Sequence, residues 1–421
     1  MMNNKYKDSG IKWIGYIPEH WEIQRIKSVL VERKENNNPI KTEFILSLTN
    51  DRGVIPYNDK GDIGNKSKQE LTEYRLAYPN DIVLNSMNIV IGSVGLSNYF
   101  GAVSPVYYML YKRNKEDSIR YFNYLFQTKP FQNNLRGYGN GIMEIRMRIQ
   151  MSKLNTVLLP YPPVIEQRKI ADYLDKKIHE IDNIIRNTKI SIDEYKKYKK
   201  SIIIEATIKG IQKGINFKKS NIDYLGYIPE NWIVRRLKYV LTPLSREVLD
   251  TDDVVTCFRN GEVTLRKNRK EEGYTFSNTE NGYQGVEDDD LVIHGMDAFA
   301  GAIGISDSRG KCSPVVHICD SKENKRYYMY FLRALALNDV FMALSDGVRI
   351  RSSDFRNWTK LAKFFVVVPP IEEQEKIVEF LDKKCNKIDE LIKQKQLLLI
   401  EIDKYKKSLI YECVTGKMEV K

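Results

Sequence analysis

Residues 162–182 read PPVIEQRKIADYLDKKIHEID, and residues 369–389 read PPIEEQEKIVEFLDKKCNKID. Proline suits the first turn of a helix, because the N–H it lacks would have had no helical partner there. Beyond each proline pair, neither Pro nor Gly occurs until Gly210 in the first case and Gly416 in the second. The spacing predicts two helices of about 43 residues, each ~65 Å long at 1.5 Å per residue. The ordinary globular mean is about 11–12 residues.

Apolar residues recur at alternating intervals of four and three along both stretches. Leu174, Ile178, Ile181, Ile185, Thr188, Ile192, Tyr195 and Ile202 form one stripe, which Lys199 interrupts. Leu381, Cys385, Ile388, Ile392, Leu399, Ile402 and Leu409 form the other, with Lys395 on it. This is a heptad seam, and two such helices are expected to pair as an antiparallel coiled coil.

The duplication extends well beyond the helices. YKDSGIKWIGYIPEHWEIQRIKSVL (6–30) matches FKKSNIDYLGYIPENWIVRRLKYVL (217–241), bringing Trp21 onto Trp232. NDIVLNSMNIVIGSVGLSNYFGAVSPVYY (80–108) matches DDLVIHGMDAFAGAIGISDSRGKCSPVVH (289–317). The chain is two copies of one domain-sized unit, for which pseudo-twofold packing is natural. Trp21 and Trp232 are expected to pack in the core of their own copy and, compatibly with that, to brace each copy against the neighbouring copy's helix.

Between these shared motifs lie variable middles, 31–160 and 242–368. FILSLT (44–49), DIVLN (81–85) and PVYYMLY (105–111) read as strands, and 117–127 and 324–344 as helices. Gly92 and Gly95 read as a tight bend, since no helix-opening phosphate-loop pattern follows. Each middle contains an arginine-rich polar loop: Arg136, Arg146 and Arg148 in the first, Arg349, Arg351 and Arg356 in the second. An arginine fork can seat on guanine O6/N7 or on a phosphate. Asn85, Asn88, His294 and Asp297 follow matched strands, where an amide could read adenine and a carboxylate could accept from cytosine N4.

The chain has 421 residues, a formal charge of +12 and 42% hydrophobic residues. The positive balance suits a polyanionic partner. No apolar run is long enough to cross a membrane and no apolar signal core opens the chain, so a cytoplasmic location is expected. The five cysteines form no C-x-x-C pair, and the four histidines show no ligand spacing, so no metal site is expected. No methyltransferase N-P-P-[YF], Walker lysine or P-D…[DE]-x-K nuclease pattern is present.

The doubled I-G-x-I-P-x-x-W motifs, the D-[IL]-V…G-x-x-G…S-P segments and the P-P-x-x-E-Q helices resemble the specificity subunits of type I restriction-modification enzymes. The resemblance runs from about residue 6 to 417. The second copy departs from it in one place, reading VVVPP where the first reads LPYPP. The resemblance implies an α/β (α+β) chain: two pseudo-twofold-related globular target recognition domains, separated by two long antiparallel coiled-coil helices. Those domains would span 1–161 and 211–368, with spacer helices at 162–210 and 369–416.

It further implies a sequence-specific DNA-recognition subunit whose domains each read half of a bipartite target in double-stranded DNA. The coiled coil would set the unread gap and help dock two methyltransferase (modification) subunits. Restriction/translocase subunits would join in the full complex. Catalysis would lie on those partners, with S-adenosylmethionine, ATP and Mg, and no cofactor on this chain. The residue patterns leave two alternatives: a stand-alone DNA-binding or scaffold protein, and a fused DNA methyltransferase or nuclease with degenerate motifs.

Overall fold

The computed structural model describes residues 5–50, 52–61, 70–139, 148–269, 281–343 and 355–420. The chain divides into two compact units: Met1–Thr188 with Leu397–Lys421, and Lys189–Gln396. Each is built from the same parts in a different chain order.

At the centre of each unit is a four-stranded antiparallel sheet. In the first unit its order is Leu30–Arg33, Tyr107–Lys112, Ile82–Asn85, Val94–Leu96. In the second it is Thr242–Pro243, Val316–Asp320, Leu291–His294, Ile303–Ile305. The strands at 82–85 and 291–294 are almost wholly buried, as their unbroken apolar runs require. The expected helix at 117–127 is found as Ile119–Gln127. The stretch 324–344 contains two helices, Lys325–Leu337 and Val340–Ala343. The break falls at Asp339, whose φ of +57° no helix continues through.

The two long helices are Val164–Lys209, 46 residues, and Ile371–Val414, 44 residues. Gly210 (φ +78°) and Gly416 (φ +70°) close them in the left-handed conformation. Within each unit the two helices pack antiparallel. In the first, Lys406 Nζ reaches Asp182 at 2.6 Å, while further back along the first helix Tyr173 lies beside Cys413. In the second, Lys199 Nζ reaches Asp389 at 2.5 Å and Lys395 stands 5.7 Å over the Tyr195 ring. Lys199 and Lys395, the two cations on the apolar stripe, thus each have a partner. Leu174, Ile181 and Ile192 are buried, as are Leu381, Cys385 and Ile388; Ile178, Ile185, Ile392 and Ile402 are half-buried against the cores, and Leu399 is half-buried.

Each core is closed by the far end of the other copy's long helix. Leu409, Ile410, Cys413 and Val414 lie in the first unit's core with Trp21, Phe122 and Leu174. Ile202, Ile203, Ala206 and Ile208 lie in the second unit's core with Trp232, Phe331 and Leu381.

Candidate nucleic-acid interface

The shared motifs hold the frame. In the first unit the Trp21 indole N–H donates to Glu166 Oε2 at 2.8 Å, and His20 donates to Oε1 at 2.7 Å. In the second, Trp232 and Asn231 donate to the two oxygens of Glu373, each at 2.8 Å. The glutamate of P-P-x-x-E-Q is therefore the acceptor for the x-W end of the entry motif. The following glutamine is fully buried: Gln167 Oε1 accepts from Ser118 N–H and Gln374 Oε1 from Asn324 N–H, both at 3.0 Å, where the earlier helices Ile119–Gln127 and Lys325–Leu337 begin. Tyr121 and Tyr327 donate to the Val414 and Thr207 carbonyls at 2.9 and 2.7 Å, satisfying acceptors the helix ends leave open. The aspartate of the D-[IL]-V motif is structural as well. Asp81 takes a bidentate fork from Arg33 (2.7 and 3.0 Å), and Asp290 one from Arg246. These hydrogen bonds hold both guanidinium pKa values above their ordinary range, against the opposing effect of burial.

On this frame one corner recurs. The strands Ile82–Asn85 and Leu291–His294 run into the short turns Ile89–Ile91 and Ala298–Ala300. Gly92 (φ +103°) and Gly301 (φ +91°) end the turns in a conformation suited to glycine. Gly95 and Gly304 have a different reason to be glycine. A Cβ on Gly95 would lie 2.8 Å from Gly53 Cα, and one on Gly304 2.0 Å from the Gly261 oxygen. Glycine here lets a hairpin close against the strand: Leu46–Thr49 with Gly53–Pro56 in the first unit, Val255–Cys257 with Val263–Leu265 in the second. The hairpin tip then reaches the turn. Ser93 Oγ donates to Asn50 Oδ1 at 2.6 Å, and Arg259 Nη2 donates to Asp297 Oδ1 at 2.9 Å.

The described ends of the arginine loops are tied to the same corner. Ile149 N–H donates to the Ser86 oxygen at 2.9 Å, placing exposed Arg148 next to the end of its strand. Phe355 N–H donates to the Gly295 oxygen at 3.0 Å, and the His317 ring donates to the Phe355 oxygen at 2.5 Å, placing exposed Arg356 likewise. The structure thus brings Asn85, Asn88 and Arg148 together in one unit, and His294, Asp297 and Arg356 in the other. Arg136 stands exposed in the turn Arg136–Tyr138, after a helix that packs on the Ile89–Ile91 turn. Arg146, Arg349 and Arg351 lie outside the described residues.

These side chains are not equally available. Asn85 is 8% exposed and its Oδ1 accepts the Met87 N–H at 3.0 Å, so its amide holds the turn. Asn88 is half-buried and its side chain does not cap the turn it opens. His294 Nδ1 accepts from the Met296 and Asp297 N–H groups at 3.3 and 3.1 Å, which puts the ring proton on Nε2. Burial lowers the His294 pKa, and nearby Arg259 lowers it further against the pull of Asp297. The imidazole is therefore a neutral donor.

Asn50 and Arg259 are absent from the residues the sequence singles out. They occupy the same place in the two copies, so the asparagine-to-arginine change at a polar hairpin tip was a readable signal. Their contact with the turn is long-range and was not. Among the described residues, no group of three or more His, Cys, Asp or Glu could hold a metal, and no helix is long and apolar enough to cross a membrane. All five cysteines are free and buried, and desolvation pushes Cys257, Cys312 and Cys413 up to about 12.

Comparison with known proteins agrees with this geometry. Residues 18–194 match the family model of the type I restriction modification DNA specificity domain. A putative type I restriction enzyme MjaX specificity subunit from Methanocaldococcus jannaschii is 26% identical, over 99% of this chain and 98% of its own length. The MjaVIII specificity subunit of the same organism is 24% identical over 96% and 94%. Two solved structures share the fold. One chain, from work on complex assembly and conformational transition of the type I R-M system, gives a TM-score of 0.70 at 12% identity, covering 96% of this chain and 99% of its own. The HsdS subunit of Thermoanaerobacter tengcongensis gives 0.54 at 13% identity, covering 96% and 98%.

Proposed function

We infer, for a chain that belongs among the DNA specificity subunits of type I restriction-modification systems, that its two units read the two halves of a bipartite target. One observation carries this: the buried frame is the same in both units, while the corner it presents differs chemically. Asn50, Asn88 and Arg148 stand in one, with Arg259, His294, Asp297 and Arg356 in the other. Two copies of one reader would keep the scaffold and change the reading side chains. Arg136, Arg146, Arg349 and Arg351 belong to the same reading. The blocks 1–161 and 211–368 act as target recognition domains. The helices at 162–210 and 369–416, with their apolar seam, set the unread gap.

In this reading the chain contributes no catalytic group. Two modification subunits dock on it and methylate adenine with S-adenosylmethionine. Restriction subunits bring ATP, Mg and cleavage. The test is a map of methylated adenines in DNA treated with the chain and its modification subunits. Two short blocks at a fixed spacing, with no base preference between them, are expected. Arg148→Ala relaxes one block and Arg356→Ala the other. A single uninterrupted block, or relaxation of both blocks by either substitution, overturns the reading.

A further inference from the structure

The hairpin tip of the second unit has a feature the first unit lacks. Arg259 is exposed, with 66% of its side chain open to solvent, yet its guanidinium is held by Asp297, itself 34% exposed. The tip beneath it is well supported. The Arg269 guanidinium lies 4.1 Å over the Phe258 ring and donates to Asn260 Oδ1 and Glu262 Oε2, each at 3.3 Å. Arg333 packs under the turn, where a Cβ on Gly261 would sit 1.3 Å from its Nη1. Arg259 therefore projects from a braced turn, at the corner that also carries His294, with Arg356 in the chain position after Phe355.

We propose that Arg259 reads a guanine in the second unit's half-site and that Asp297 is its positioning residue. This deepens the two-reader function proposed above and rests on it. Nη2 carries two hydrogens, and only one is used by Asp297 Oδ1. The other, with a hydrogen on Nη1, forms the parallel pair that matches guanine O6 and N7. The carboxylate also argues against a phosphate contact. An anion set 2.9 Å from the guanidinium repels a phosphate approaching the same fork. At a base pair it does the opposite, since its remaining oxygen can accept from N4 of the paired cytosine. The two side chains together complement G·C in one orientation. The first unit has the neutral Asn50 and Asn88 at these places and makes no such demand.

The experiment uses the chain assembled with its modification subunits. Bound molecules are sequenced from a randomised DNA pool at two salt concentrations. Arg259→Ala is expected to reduce the preference for guanine at one position of one half-site by about 5- to 150-fold. The other half-site, the slope of affinity against salt and the melting temperature should all stay the same. Asp297→Asn should weaken preference at that same position only, and Asp297→Glu should restore part of it. A contact with phosphate would instead lower affinity for every sequence alike and flatten the salt slope. That result, or an unchanged preference, overturns the proposal while the two-block reading stands. A wild-type complex that selects no two-block sequence sinks the underlying reading instead.

Discussion

Glu166 and Glu373 each receive a tryptophan indole N–H and a second bond from the residue before that tryptophan, whereas Asn50 and Arg259, also in matching places, offer unlike chemistry. The bonds that agree between copies are mostly buried or part-buried: Trp to Glu, Gln to the start of an earlier helix, Tyr to the helix-end carbonyl, Arg to the strand-start Asp. Losing such a bond costs most where the group left behind is shut away from water, as Gln167, Gln374, Asp81 and Asp290 are, and less at Glu166, whose side chain is 37% exposed. Positions such as 50 and 259 face solvent, so the copies can differ there without cost to the fold. The frame is where the units should behave alike, and the corner is where they should part.

The strongest challenge to that comparison is the tryptophan pair. Trp21 and Trp232 are 2% and 0% exposed, and each donates to a helix glutamate. Trp21→Ala and Trp232→Ala should each cost about 3–5 kcal/mol. Hydrogen exchange on the full chain reads this separately for peptides of each core. Losses within about 1 kcal/mol of each other support a common frame, given the scatter of such substitutions. A large loss in one unit and a negligible one in the other breaks the comparison.

A second pair sharpens it, because matching places need not be equally tight. Gly210 and Gly416 both sit at positive φ, so alanine at either loses about 1–2 kcal/mol from backbone strain. The contacts differ. A Cβ on Gly210 would lie 3.2 Å from the Trp232 ring, whereas one on Gly416 would lie 2.4 Å from Cδ of Pro18, whose ring cannot rotate aside. Gly416→Ala should therefore cost about 1–3 kcal/mol more than Gly210→Ala. Equal melting-temperature losses for the two variants would mean that the first unit's helix end can shift to make room.

Much of this was legible in the sequence because the signals are local. Pro162-Pro163 and Gly210 bracket one long helix, and Pro369-Pro370 and Gly416 the other, within a residue or two of the observed Val164–Lys209 and Ile371–Val414. The four-three spacing of Leu174, Ile178 and Ile181 marked the face that the structure turns inward. What the spacing could not say is where each helix end goes. Nothing local distinguishes Leu409 or Ile202 as a core residue of the other copy's domain. The break at Asp339 was hidden because Asn and Asp tolerate left-handed backbone without the warning a glycine gives. The meaning of Arg259 is not legible in the sequence, because the residue it pairs with, Asp297, lies on a separate strand-end turn and only the tertiary fold joins them.

The smallest expected effect tests the frame at its surface. Asp182–Lys406 and Asp389–Lys199 are the same interhelix bridge in the two copies, with aspartate side chains 49% and 54% exposed and lysines 26% and 25%. Such pairs are screened by water and salt and contribute at most about 1 kcal/mol. The lysine stems do more, since their methylenes cover the apolar stripe. Lys406→Met and Lys199→Met keep the stem and remove the charge, so each should change stability by less than about 1 kcal/mol. The two changes should agree, and both should vanish at high salt. Replacement by alanine should cost more than by methionine at both sites. If methionine at either position instead removed several kcal/mol, the seam would depend on its charges rather than on Leu174, Ile181, Leu381 and Ile388, and the two bridges would be part of what holds the helices in register.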